Sequence, residues 1–128
     1  MRISEAVNIG ADDFNWEEGT VVVLGKGNRY RKCLAGNGLV KSWFNEHGSF
    51  GFTKNGAQTM LRRLGVASGI HCNAHSFRRG FCVHQVKSGL STRVVQALGG
   101  WESIEMVERY SRPLLFEDAL SVYRAVNT

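Results

Sequence analysis

The chain has 128 residues, 43% of them hydrophobic, which suits one domain that buries most of its surface, and 16 Lys and Arg against 11 Asp and Glu give a formal net charge of +5. No apolar run approaches the roughly 18 residues of a membrane span and the N-terminus lacks the apolar core of a secretory signal, so a transmembrane helix is excluded and a cytoplasmic protein is expected. The positive charge favours an anionic partner such as nucleic acid, and Cys33, Cys72 and Cys82, odd in number and irregular in spacing, read as reduced thiols rather than a disulfide framework.

Residues 1–8 read as a helix without a capping residue, with Ile3, Ala6 and Val7 on one face. Residues 11–18 are acidic and turn-like. Thr20–Leu24 is a β-branched run, Gly25-Lys26-Gly27-Asn28 a turn, and residues 29–34 a second strand, which together make a hairpin with a lysine at its tip. Residues 39–45 form a short helix and residues 55–68 a longer one ending before Gly69. Asn73 is placed to cap a helix to about Lys87, Ser91 one to Leu98 before Gly99-Gly100, and Ser103 one through Tyr110 before Pro113. An amphipathic helix over residues 114–126 closes the chain. The fold class is α+β, mainly helical, with one small antiparallel hairpin or sheet.

Five segments carry the functional signal: Arg2-Ile3-Ser4-Glu5-Ala6, Leu24-Gly25-Lys26-Gly27-Asn28, His75-Ser76-Phe77-Arg78, Leu98-Gly99-Gly100-Trp101 and Glu108-Arg109-Tyr110-Ser111. Each is unremarkable alone. In this order, with Trp101 and Tyr110 nine residues apart, they resemble the catalytic domain of the tyrosine recombinases, the phage integrase family. The resemblance runs over essentially all of residues 1–128 and implies that family's mainly helical catalytic fold. It also implies cleavage and rejoining of double-stranded DNA, with Tyr110 as nucleophile. By the same resemblance, an N-terminal DNA-clamping domain and the first catalytic-domain helices are expected to be missing from this chain.

The chemistry suits those residue types. An in-line attack on a phosphodiester builds negative charge on the non-bridging oxygens, and a guanidinium stays protonated and offers a planar fork that matches them; Arg2 and Arg78 are the expected clamp. His75 lies three residues before Arg78, hence on the same helical face near a helix N-terminus, where free N–H groups also favour an anion. The resemblance gives His75 proton transfer or phosphate orientation, and Lys26 protonation of the leaving 5′-oxygen. Trp101 stands where most members carry histidine; its indole N–H donates a hydrogen bond but cannot shuttle a proton. The Tyr110 phenol, unperturbed near a pKa of about 10, needs neighbouring cations to become nucleophilic. Glu5 is expected to orient Arg2, and Lys26, Arg29, Arg31 and Arg79 to contact DNA.

No cofactor and no metal is expected. His71, Cys72, His75, Cys82 and His84 crowd into 14 residues, but without a Cys-x-x-Cys pair their spacing is poor for zinc. A type IB topoisomerase-like relaxing activity and a non-catalytic DNA-binding remnant are the alternative readings. The last helix has an apolar side too large to leave in water; the resemblance implies that it docks on a neighbouring protomer, in a homo-tetramer on DNA in the complete protein, with docking in cis as the alternative.

Overall fold

In the computed structural model, which describes residues 1–112 and 114–127, the β-branched run becomes the central strand of an antiparallel sheet. The order is β1 (Phe14–Asn15), β2 (Thr20–Leu24) and β3 (Tyr30–Leu34), with Thr20 opposite Leu34 and Leu24 opposite Tyr30. Strand alternation puts Val21, Val23 and Cys33 on the buried face and leaves Val22, Leu24 and Leu34 exposed. β1 departs from the turn-like reading of residues 11–18. It is only two residues long, too short to leave a periodic pattern, and it is returned to β2 by a turn in which the Gly19 N–H donates to Asn15 O at 2.9 Å, with Gly19 at φ 76°.

The chain divides into two compact units, Met1–Ala74 and His75–Thr128. In the first, the helix expected over residues 1–8 is a single turn, α1 (Ile3–Ala6). The Asn8 side chain donates to Ser4 O at 3.1 Å and the Asn8 N–H to Glu5 O at 3.2 Å, so these carbonyls are used before another helical turn can form, and Ile9 enters the core. α2 (Gly38–His47) outruns the expected residues 39–45 at both ends because Asn37 Oδ1 accepts from the Leu39 N–H and Gly48 takes the left-handed conformation at φ 76°. α3 (Lys54–Ser68) is capped by Thr53 Oγ1, which accepts from the Gly56 N–H at 3.0 Å, and stops at Gly69. The core gathers Ile9, Val21, Val23, Cys33 and Phe44, with Phe14, Trp16, Val40 and Phe50 packed around it.

The second unit holds α4 (Ala74–Lys87), α5 (Thr92–Gly99), α6 (Ile104–Ser111) and α7 (Phe116–Val126). Ser91 and Ser103 cap α5 and α6 as the sequence suggested, their hydroxyls accepting from the Val94 and Glu105 N–H groups at 3.3 and 3.2 Å. Pro113, expected after the Tyr110 helix, lies outside the described residues. Cys82, Val95 and Val107 are fully buried together, and Phe81, Val86, Leu90, Trp101 and Tyr110 pack on them. α7 begins two residues later than expected and touches its own unit: Asp118 pairs with Lys87 at 3.7 Å, and Val122 lies against Gly89. Leu115, Phe116, Tyr123 and Val126 of this segment stay exposed. Among the described residues no helix is long and apolar enough to cross a membrane.

Candidate active site

Each unit assembles its own share of the expected residues. In the first, Arg2, Ser4, Glu5, Leu24, Gly25 and Lys26 line one cavity of about 480 Å³. Arg2 is the residue before α1, and its backbone N–H donates to Glu5 Oε1 at 2.6 Å. Lys26 opens the short turn between β2 and β3, where Gly27 and Asn28 both take positive φ (73° and 57°), a geometry that the Gly-Asn pair accommodates at low cost. The Gly25 N–H donates to Arg29 O at 2.8 Å and closes the turn, leaving Lys26 and Arg29 exposed at its tip.

Glu5 and Arg31 sit differently from the sequence expectation. Glu5 meets Arg2 through the main chain, and its ion-pair partner is Arg31, Nη2 to Oε1 at 2.7 Å. Arg31 Nη1 also donates to the buried Cys33 Sγ at 3.0 Å, so the guanidinium expected to face DNA is held within its own unit. The 26-residue separation of the pair gave no sequence signal.

In the second unit α4 presents His75, exposed in its first turn, then the half-buried Arg78 and the exposed Arg79. Arg78 Cζ lies 4.6 Å from the Trp101 ring centroid, and its Nη2 donates to Gly99 O at 3.2 Å. Arg79 Cζ lies 5.7 Å from the Tyr110 ring centroid, and the Trp101 and Tyr110 rings meet edge-on at 6.4 Å. Both arginines therefore stand over the aromatic pair, an arrangement worth roughly 0.5–2 kcal/mol per cation–π contact.

Local sequence explains how Trp101 gets there. α5 ends with Gly100 at φ 69°, where the Gly100 N–H donates to Ala97 O and the Trp101 N–H to Gln96 O, turning the chain back over the helix end. Gly99 has an ordinary backbone conformation but no room: a Cβ there would fall within the Trp101 ring. The Gly99-Gly100 pair thus does two jobs, clearance and turning. The Cys82 thiol donates to Val107 O at 3.7 Å, and burial pushes its pKa up from the usual thiol range. His71, Cys72, His75, Cys82 and His84 do not converge, and no group of three His, Cys, Asp or Glu able to hold a metal ion occurs among the described residues.

Comparison with known proteins gives the family of the chain. The Phage integrase family model matches residues 1–114, a stretch that includes all five motif segments. Tyrosine recombinase XerC of Proteus mirabilis is 31% identical over 147 aligned positions covering 99% of this chain and 48% of that protein, so the chain spans about half the length of the curated relatives it matches. The fold is similar to that of XerA recombinase, with a TM-score of 0.75 at 21% identity over 99% of this chain and 53% of that one. It is similar too to the Tn1549 transposon integrase in complex with transposon right end DNA, with a TM-score of 0.65 at 14% identity over 100% of this chain and 55% of that one. With its ordered motifs, its mixed helical fold and a family match over most of its length, the chain belongs to the phage integrase family of tyrosine recombinases.

Proposed function

We propose that residues 1–128 are the catalytic domain of a site-specific recombinase that cuts and rejoins double-stranded DNA through a 3′-phosphotyrosyl link at Tyr110. The observation that carries this reading is the cluster of Arg78, Arg79, Trp101 and Tyr110, in which a guanidinium carbon lies 5.7 Å from the ring of the one tyrosine that follows a Gly-Trp pair at nine residues. That places fixed positive charge beside the candidate nucleophile, where an anionic phosphate has to bind.

In this mechanism Tyr110 Oη attacks the phosphorus in line and the bond to the 5′-oxygen breaks. Arg2 and Arg78 neutralise the non-bridging oxygens, Trp101 donates its indole N–H to one of them, and His75 assists removal of the phenol proton or orients the phosphate. Lys26 gives a proton to the departing 5′-oxygen. The phosphotyrosyl ester keeps the energy of the broken bond, so attack by a 5′-hydroxyl reverses the step without a nucleotide cofactor. Arg29 and Arg79, exposed, contact the DNA backbone, while the apolar side chains of α7 support homo-oligomerisation on DNA. The DNA complex of the Tn1549 integrase supports the substrate class.

The test is a nicked suicide substrate built from candidate target DNA, incubated with the full-length protein and with Tyr110→Phe, and read as a covalent adduct on a denaturing gel. An adduct lost only in Tyr110→Phe, and retained in Tyr30→Phe and Tyr123→Phe, is the expected outcome. No adduct from the full-length protein on its true site would leave DNA binding without catalysis; relaxation of supercoils without recombinant product would indicate a topoisomerase-like activity.

A further inference from the structure

The carboxylate of Glu5 joins two parts of the proposed site that are far apart in sequence. Glu5 is only 5% exposed, and its Oε1 accepts both from the Arg2 backbone N–H at 2.6 Å and from Arg31 Nη2 at 2.7 Å. Its other oxygen, Oε2, is buried and, among the described residues, has no hydrogen-bond partner. That oxygen faces the root of the Lys26 turn: a Cβ placed on Gly25 would lie 3.1 Å from Glu5 Oε2, 3.5 Å from Arg29 O and 3.8 Å from Arg31 Nε. Gly25 in turn closes the turn through its bond to Arg29 O, and Arg31 stands on β3 opposite Val23 of β2.

A buried carboxylate with one free oxygen is costly to hold, and here its position is fixed by a guanidinium from the strand that leads out of the lysine turn. The bare backbone of Gly25 lets that turn settle directly against the pair. We propose that Arg31 is a positioning residue: through Glu5 and Gly25 it sets where the Lys26 turn stands relative to Arg2, and it does not serve as a DNA phosphate contact. Lys26 stands exposed at the tip of a turn that contains Gly27, so what fixes its place has to come from the root of the turn. A single carboxylate that grips both the Arg2 main chain and β3 supplies it.

This inference rests on the reading of Lys26 as general acid, and the experiment separates the two. Single-turnover cleavage by the full-length protein is measured at saturating DNA on a suicide substrate with the natural 5′-oxygen and on one with sulfur in that bridging position. A thiol ionises near pH 8.5, so a thiolate leaves without a proton from the enzyme. Lys26→Ala is the reference: slow on oxygen, restored on sulfur. Arg31→Ala and Gly25→Ala are expected to follow it, about 10-fold or more slower on oxygen and within about twofold of the parent protein on sulfur, because the lost step is proton donation. Gly25→Ala leaves both charges of the pair in place, so it also tests the idea if Arg31→Ala folds poorly, and Arg31→Lys, which keeps a cation beside Glu5, is expected to retain most of the oxygen rate.

Equal slowing of Arg31→Ala and Gly25→Ala on both substrates, with Lys26→Ala restored by sulfur, would overturn the positioning role alone. A normal rate at saturation with weakened DNA affinity in Arg31→Ala would make Arg31 a phosphate contact after all. Failure of sulfur to restore Lys26→Ala would remove the general-acid reading and the inference with it.

Discussion

The Arg78 guanidinium lies over the Trp101 ring, 4.6 Å from its centroid, while its Nη2 bonds Gly99 O, so the arginine is braced by the indole and by the carbonyl two residues before it. Trp101 also packs on the core of Cys82, Val95 and Val107. It is thus a platform for the cation, beside the phosphate-donor role proposed for its indole N–H.

Trp101→Ala is therefore expected to lose about 2 kcal/mol, below the range for a fully buried tryptophan because this ring is half-exposed, and to loosen Arg78. Urea unfolding of the variant measures the loss. Trp101→Phe, which keeps a ring under the guanidinium, is expected to recover part of it.

Gly99→Ala puts a methyl where the Trp101 ring stands, and the expected cost is about 1–3 kcal/mol from overpacking. Gly100→Ala is different in kind, because the position has φ 69° and the penalty, about 1 kcal/mol, is conformational. The double variant Gly99→Ala/Trp101→Ala separates them: removing the indole relieves the first penalty, and thermal unfolding of the set reads the coupling.

Thiol chemistry follows burial. Cys72 is half-buried whereas Cys33 and Cys82 are buried, so one equivalent of a thiol reagent is expected to react in the native state, at Cys72, and three after unfolding. The folded Cys82 thiol ionises at higher pH than the unfolded one. Its contribution to stability is consequently complete below the unfolded value, about 8.5, and is lost as pH rises above it toward the folded value. Urea midpoints across this alkaline range are expected to fall more steeply for the parent protein than for Cys82→Ala.

Salt dependence distinguishes the two arginines near the lysine turn. If exposed Arg29 contacts a phosphate and Arg31 does not, Arg29→Ala is expected to reduce the slope of log affinity against log salt by about 1, and Arg31→Ala to leave it unchanged at any affinity. Titrations over a range of salt concentrations check this. Arg31→Met, which strands Glu5 in the interior, is instead expected to cost about 3 kcal/mol of stability.

Much of this fold is local chemistry written in the chain. The β-branched run of Thr20–Leu24, the Gly-Lys-Gly-Asn turn, the capping residues Ser91 and Ser103, and the stops at Gly69 and Gly100 act through neighbours within a few residues, so their sequence signals survive in the structure. Where the structure departs from that reading, α1 is shortened by local hydrogen bonds of Asn8 and β1 is a two-residue strand too short to leave a periodic pattern.

The family and the identities of the candidate catalytic residues came from motifs and their order, because in-line chemistry at a phosphate demands particular side chains whatever surrounds them. The sequence alone could not tell which of those charges look outward. Arg29 and Arg31 are two residues apart in similar surroundings, yet one is exposed and the other is locked onto a carboxylate 26 residues upstream. That difference arises only when the α1 turn and β3 meet, since a buried carboxylate takes whichever cation the tertiary packing brings within reach.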